Sequence, residues 1–159
     1  MRLVETTVTI NDQRKRAMAR RVVEAMGPDG VRGRRVALFG LTFKPNTDDM
    51  REAPSLSIIR ALQDQGALIH ATDPAGIDQA RKVLDDVTFH ADPYDAASEA
   101  EAIVLVTEWE AYRSLDFARL KAAMKRPLLV DLRNVYDGVH AARHGFSYVA
   151  IGRPDETRD

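Results

Sequence analysis

Val36-Ala37-Leu38-Phe39-Gly40-Leu41-Thr42-Phe43-Lys44-Pro45-Asn46-Thr47-Asp48-Asp49-Met50-Arg51-Glu52-Ala53-Pro54-Ser55 places an apolar strand, a glycine, a polar loop and a proline-led helix one after another. The strand, residues 36–39, is apolar at every position, as a strand covered on both faces must be. Pro54 opens a helix over 54–65, where its missing N–H costs nothing, with Leu56, Ile59 and Leu62 on one face and Gly66 as cap. A strand that ends in a loop and then a helix is how α/β proteins build anion sites at the carboxyl edge of a sheet. The loop carries two cations, Lys44 and Arg51.

The same alternation continues to the end of the chain. Strands are predicted at 67–72, 87–90, 102–107, 128–131 and 147–151. Between them, helices are marked by Ile77, Ala80, Val83 and Leu84, by an alanine-rich stretch over 94–100, by Phe117, Leu120, Ala123 and Met124, and by 138–144. Strands that alternate with helices predict an α/β, Rossmann-like, doubly wound, mostly parallel six-stranded sheet. Ahead of it, Met18, Val22 and Met26 recur at helical spacing among Arg14, Lys15, Arg16, Arg20 and Arg21, and the stripe extends back through Val8 and Val4. The β-branched run Thr6-Thr7-Val8-Thr9-Ile10 favours a strand by propensity, but the stripe predicts a helix that ends at Gly27-Pro28. This helix has no evident place inside the α/β pattern, so something beyond the domain is expected to cover it. The resulting division is 1–27 for the helix, 33–152 for the α/β domain, and a frayed tail over 153–159.

Composition narrows the functional classes. The 159 residues suit one domain; 45% are apolar and 30% charged, with a formal net charge of −1. No basic excess points to nucleic acid, and the longest apolar runs fall far short of the roughly 20 residues a membrane helix needs. The first residues show no apolar secretory core, so a cytoplasmic location is expected. Cysteine is absent, which excludes disulfides, thiolate metal sites and a cysteine nucleophile within these residues. His140 and His144 share a helical face without the glutamate of a zinc motif, and read as surface or packing residues. Asp48 and Asp49 lie too far past the strand end for a phosphoacceptor.

A dinucleotide fingerprint needs G-x-G-x-x-G directly after the first strand and an acid about 20 residues later. Only Gly40 is present, Phe43 adds bulk, and the acid that ends the second strand, Asp73, comes too late. The domain is therefore not expected to bind NAD by itself. A phosphate-bearing ligand fits better: Lys44 and Arg51 after the first strand and Arg133 after the fifth all fall at the carboxyl edge. Each has an ordinary alternative. Lys44 reads equally as a solvated loop charge, Arg133 as a partner of Asp131, Asp137 or another carboxylate, and Arg51 as a partner of Asp48, Asp49 or Glu52.

Gly40, Phe43, Lys44, Asp49, Arg51, Glu52, Ala53 and Pro54, together with Asp131, Arg133 and Asn134, closely resemble the C-terminal, UDP-binding domain of the UDP-glucose/GDP-mannose dehydrogenase family. Asp73-Pro74 and Thr107-Glu108-Trp109 also look like family positions, although Trp109 reads as well as a packing or loop-anchoring aromatic. The likeness runs over residues 2–151. It implies substrate contact by Phe43, Lys44 and Arg133, and a reach by Arg51 toward the NAD cofactor held by a second, upstream domain. It also implies that the first helix is the end of a long inter-domain helix that builds a homodimer. The family's catalytic cysteine, lysine and aspartate lie upstream and have no counterpart here, so this chain alone is expected to be inactive. The wording of 41–49 looks most like the branch that oxidises UDP-glucose to UDP-glucuronate. Alternatives are the same domain of a UDP-N-acetylmannosamine or GDP-mannose dehydrogenase, or a standalone, non-enzymatic module that binds nucleotide-sugars or oligomerises.

Overall fold

The computed structural model describes residues 2–150, with side chains from residue 13 onward. The expected tail over 153–159, the final residue of the last strand, and the side chains of Val4 and Val8 lie outside the described residues. A long helix, α1 (Arg2–Met26), leads into β1 (Arg35–Phe39), α2 (Pro54–Asp64), β2 (Leu68–Thr72), α3 (Ile77–Arg81) and β3 (Val87–Phe89). Then follow α4 (Pro93–Ala97), β4 (Ala102–Leu105), α5 (Glu110–Arg113), α6 (Phe117–Ala123), β5 (Leu128–Asp131), α7 (Gly138–Arg143) and β6 (Ser147–Ala150). The six strands form one sheet in the order β3-β2-β1-β4-β5-β6, and every pairing is parallel. The chain reverses its direction of winding between β1 and β4, so the sheet is doubly wound.

Both faces of the sheet are covered, and the central strands are accordingly apolar over residues 36–39, 102–105 and 128–130. Val36, Leu38, Val104, Val130 and Ile69 point to one core; Ala37, Phe39, Ile103, Leu105 and Leu129 point to the other. The connections α2 and α3 cover the first core only over the β1–β3 half, because the later helices α4, α6 and α7 fall on the opposite face. The bare half of the first face is where α1 lies, against α2 and β5. Val22 and Met26 of the predicted stripe are 0% and 2% exposed in that same core, with Met18 packed beside them. The sheet itself thus covers the helix that seemed to have no place in the pattern.

Local departures from expectation have local causes. The fourth strand stops at Leu105 rather than at 107. Val106 N still bonds Phe39 O at 2.9 Å, but Thr107 turns its hydroxyl to Thr42 O at 2.8 Å instead of extending the ladder. The third strand ends at Phe89. The short α5 leaves no mark in the sequence, since four residues give no readable period.

Candidate functional site

The loop after β1 is organised by one buried carboxylate. Asp73, at the end of β2, is 4% exposed. Its Oδ2 accepts from Leu41 N at 2.7 Å, Thr42 N at 3.2 Å and Trp109 Nε1 at 3.2 Å. Its Oδ1 accepts from Ala75 N at 2.9 Å and Gly76 N at 2.7 Å. Several donors converge on one ion, which offsets the cost of burying it. The loops after β1, β2 and β4 are thereby tied together, and Trp109 acts as their anchor. Gly40 completes the junction: its φ is +99°, and a Cβ there would meet Thr107 N and Cβ at 2.5 Å. The tyrosines beside this network stay protonated donors. Burial raises the Tyr112 phenol, Asp73 adding to the effect, and Tyr112 donates to Thr72 O at 3.3 Å.

A second buried carboxylate shapes the loop after β5. Asp131 is 0% exposed and accepts from Arg133 N at 3.0 Å, Tyr136 N at 2.9 Å and Tyr148 Oη at 2.7 Å. The chain wraps round it, with Asn134 at a φ of 54°, and turns the Arg133 side chain outward. Burial and the nearby Asp131 keep the Tyr136 phenol protonated, and its hydroxyl donates to Tyr112 O. Arg133 Nη2 meets Glu108 Oε1 at 3.1 Å. Glu108, not Asp131 or Asp137, is therefore its ion-pair partner.

Arg133 and Phe43 open onto one groove of about 440 Å³, together with Pro54, Glu52 and the α1 residues Arg14, Lys15 and Met18. Phe43 is 48% exposed. Three cations face one carboxylate in the lining, and Lys15 Nζ lies 3.7 Å from that Glu52. An exposed aromatic face beside a forked cation suits a flat ring carrying an anionic group. Sequence spacing does not mark Arg14, Lys15 or Glu108 as site residues. The helical pattern shows Arg14 and Lys15 only as part of a polar face, and Glu108 lies far from Arg133 in the chain.

The other two predicted residues stand elsewhere. Lys44 is exposed on the loop and is not in the groove's lining; its charge helps to lower the Asp49 carboxyl. Arg51 grips Asp49 with both ends of its fork, at 3.1 Å each. That contact holds Asp49 below the usual carboxylate range and raises the guanidinium. Arg51 lines a neighbouring cleft of about 670 Å³ with Asp49, Met50 and Lys82, and Glu52 is common to both clefts.

Dinucleotides in such sheets bind at the crevice between β1 and β4, and there this chain offers Gly40 without a glycine-rich turn. Thr107 occupies the space beside Gly40, and the Asp73 carboxylate is spent on loop N–H groups. The residues present do not fit a dinucleotide there. Among the described residues no group of three or more His, Asp or Glu side chains could hold a metal ion, and no helix is long and apolar enough to cross a membrane.

The family model for the UDP binding domain of the UDP-glucose/GDP-mannose dehydrogenase family matches residues 37–138. UDP-glucose 6-dehydrogenase of Rhizobium meliloti strain 1021 is 56% identical over 155 residues, which are 98% of this chain and 35% of that protein. A UDP-glucose dehydrogenase structure from Pyrobaculum islandicum superimposes with a TM-score of 0.70 at 34% identity, over 84% of this chain and 29% of that one. The NDP-N-acetyl-D-galactosaminuronic acid dehydrogenase of Methanosarcina mazei Go1 gives 0.80 at 27% identity, over 91% and 30%. The chain thus spans about a third of the length of these relatives. With an all-parallel sheet in the order β3-β2-β1-β4-β5-β6 and a match across the loops that carry Phe43 and Arg133, the chain belongs to the UDP-glucose/GDP-mannose dehydrogenase family, as its UDP-binding domain.

Proposed function

We propose that this chain supplies the nucleotide-sugar half of an NAD-dependent UDP-glucose 6-dehydrogenase, and that UDP occupies the groove between α1 and the rim of the sheet. The observation that carries the reading is the meeting of Phe43 and Arg133, distant in sequence, at one cationic groove. In this scheme Phe43 packs on the nucleotide. Arg133, steadied by Glu108, offers its fork to the diphosphate, and Lys44 swings in from the adjoining loop as a point charge. Arg51 reaches from the neighbouring cleft toward a cofactor held by another part of the enzyme. The 56% identical relative favours UDP-glucose over other nucleotide-sugars.

This half binds and orients; the oxidation is assigned to regions beyond these residues. NAD is the hydride acceptor of that chemistry, and no step of it runs through side chains of this chain. With no cysteine among the 159 residues, a thiol-dependent step would be supplied from outside them, and the chain alone is proposed to be inactive. We further place it in a cytoplasmic homodimer joined through α1.

Isothermal titration of the purified chain tests the reading. UDP and UDP-glucose are expected to bind more tightly than NAD. The reverse order, or no binding of UDP at millimolar concentration, would overturn it.

A further inference from the structure

The groove has walls from two sources. Phe43, Pro54 and Arg133 come from the sheet's carboxyl rim, whereas Arg14 and Lys15 come from α1. Its shape therefore depends on how α1 lies across the sheet. Among the described residues, α1 is tied at the groove by the ion pair of Lys15 with Glu52 at 3.7 Å, and Glu52 is 86% exposed; such a pair is too weak to set a helix's position by itself. The buried stripe of Val22 and Met26, packed with α2 and β5, resists separation and biases the crossing angle, but it carries no directional bond.

Directional contacts gather at the opposite end. α1 ends at Met26, and Gly27 follows with φ +99°, leaving terminal carbonyls to find partners. Arg34 Nη1 donates to Met26 O at 3.2 Å and to Gly30 O at 2.7 Å. Arg126 Nη1 donates to the same Met26 O at 2.8 Å. Arg34 Nε is held in turn by Glu101 Oε1 at 3.1 Å, with the two side chains 19% and 17% exposed. Arg34 precedes β1, Glu101 precedes β4 and Arg126 precedes β5, so the starts of these strands converge on one helix end. Cations are favoured at a helix C-terminus, and bonds from charged donors are the stronger kind. The helix from Lys15 to Met26 is about 17 Å long, so none of these residues is part of the groove.

We propose that Arg34 and Arg126, with Arg34 oriented by Glu101, are positioning residues for ligand recognition. By gripping the carbonyl end of α1 they set its tilt and rotation, and so the places of Arg14 and Lys15 in the groove. The inference rests on reading that groove as the UDP site.

The absence of native cysteine makes the test clean. Spin labels are attached to Ala17→Cys on α1 and Lys121→Cys on α6, and their distance distribution is measured alongside the UDP dissociation constant. In an Arg34→Met/Arg126→Met variant the distribution broadens and UDP binding weakens about tenfold, while circular dichroism is unchanged. Arg126→Lys, which can still donate to Met26 O, keeps a narrow distribution and near-normal affinity. If the double variant does not fold, Arg126→Met with Arg34 retained is read for the same two changes. A distribution that stays narrow, or one that broadens with UDP affinity unchanged, overturns the proposal. If the unaltered chain binds no UDP, the proposed function fails first, and the distances still decide whether the arginines hold α1.

Discussion

Asp73 and Arg133 show how differently two charged residues at one rim are used. Asp73 is buried and saturated with donors, so its charge is spent on structure. Asp73→Asn would turn one oxygen into a donor that faces other donors, and should cost about 3 kcal/mol in urea unfolding. Arg133 has a side chain 34% exposed and pairs with a Glu108 that is 40% exposed, an arrangement worth about 0–1 kcal/mol. Arg133→Met should therefore leave the melting temperature nearly unchanged while weakening UDP binding at least tenfold by titration calorimetry. An equal loss of both would mean that Arg133 is structural. The motif alone could mark Arg133 as a cation at the right edge. It could not supply Glu108 as the partner, because that pairing depends on the loops after β4 and β5 being neighbours.

At the scale of elements, the edge of the sheet carries a pH-sensitive joint. His70 on β2 meets His90, just after β3, with Nδ1 and Nε2 2.8 Å apart and the rings only 19° from parallel. One ring must donate and the other accept. Burial first, then the Arg35 and His90 charges, holds His70 down to about 4 from an ordinary 6.5. A base whose folded value is depressed binds protons more readily when unfolded. Stability is then complete above pH 6.5 and falls as the pH drops toward 4. Thermal melts across that window should show the decline, and His70→Gln, which cannot protonate, should flatten it. An unchanged slope in the variant would remove the joint. The β-branched and apolar residues of 67–72 and 87–90 mark these strands in the sequence, but they could not foresee the histidine pair. The residues lie on different strands, and their contact is a matter of register, His70 being opposite Thr88.

Across the whole molecule, α1 is part of the core. Winding the later crossovers onto one face leaves half of the other face open, and Val22 and Met26 fill it. Met26→Ala should cost about 2–5 kcal/mol, the range for emptying a packed core site, as read by denaturant unfolding. A loss below 1 kcal/mol would mean that α1 merely rests on the sheet.

The sequence by itself determined the alternation of strands and helices, the all-apolar centre of the sheet, the lack of a glycine-rich dinucleotide turn and the family. These follow from local spacing and from motifs a dozen residues long. Only the tertiary structure decided that α1 seats on the sheet, that Arg14 and Lys15 share a groove with Phe43 and Arg133, that Arg51 lines the neighbouring cleft, and that Lys44 is outside the groove's lining. Those outcomes depend on which way the crossovers wind and on which backbone groups two buried carboxylates collect, and neither is written in the spacing of any one segment.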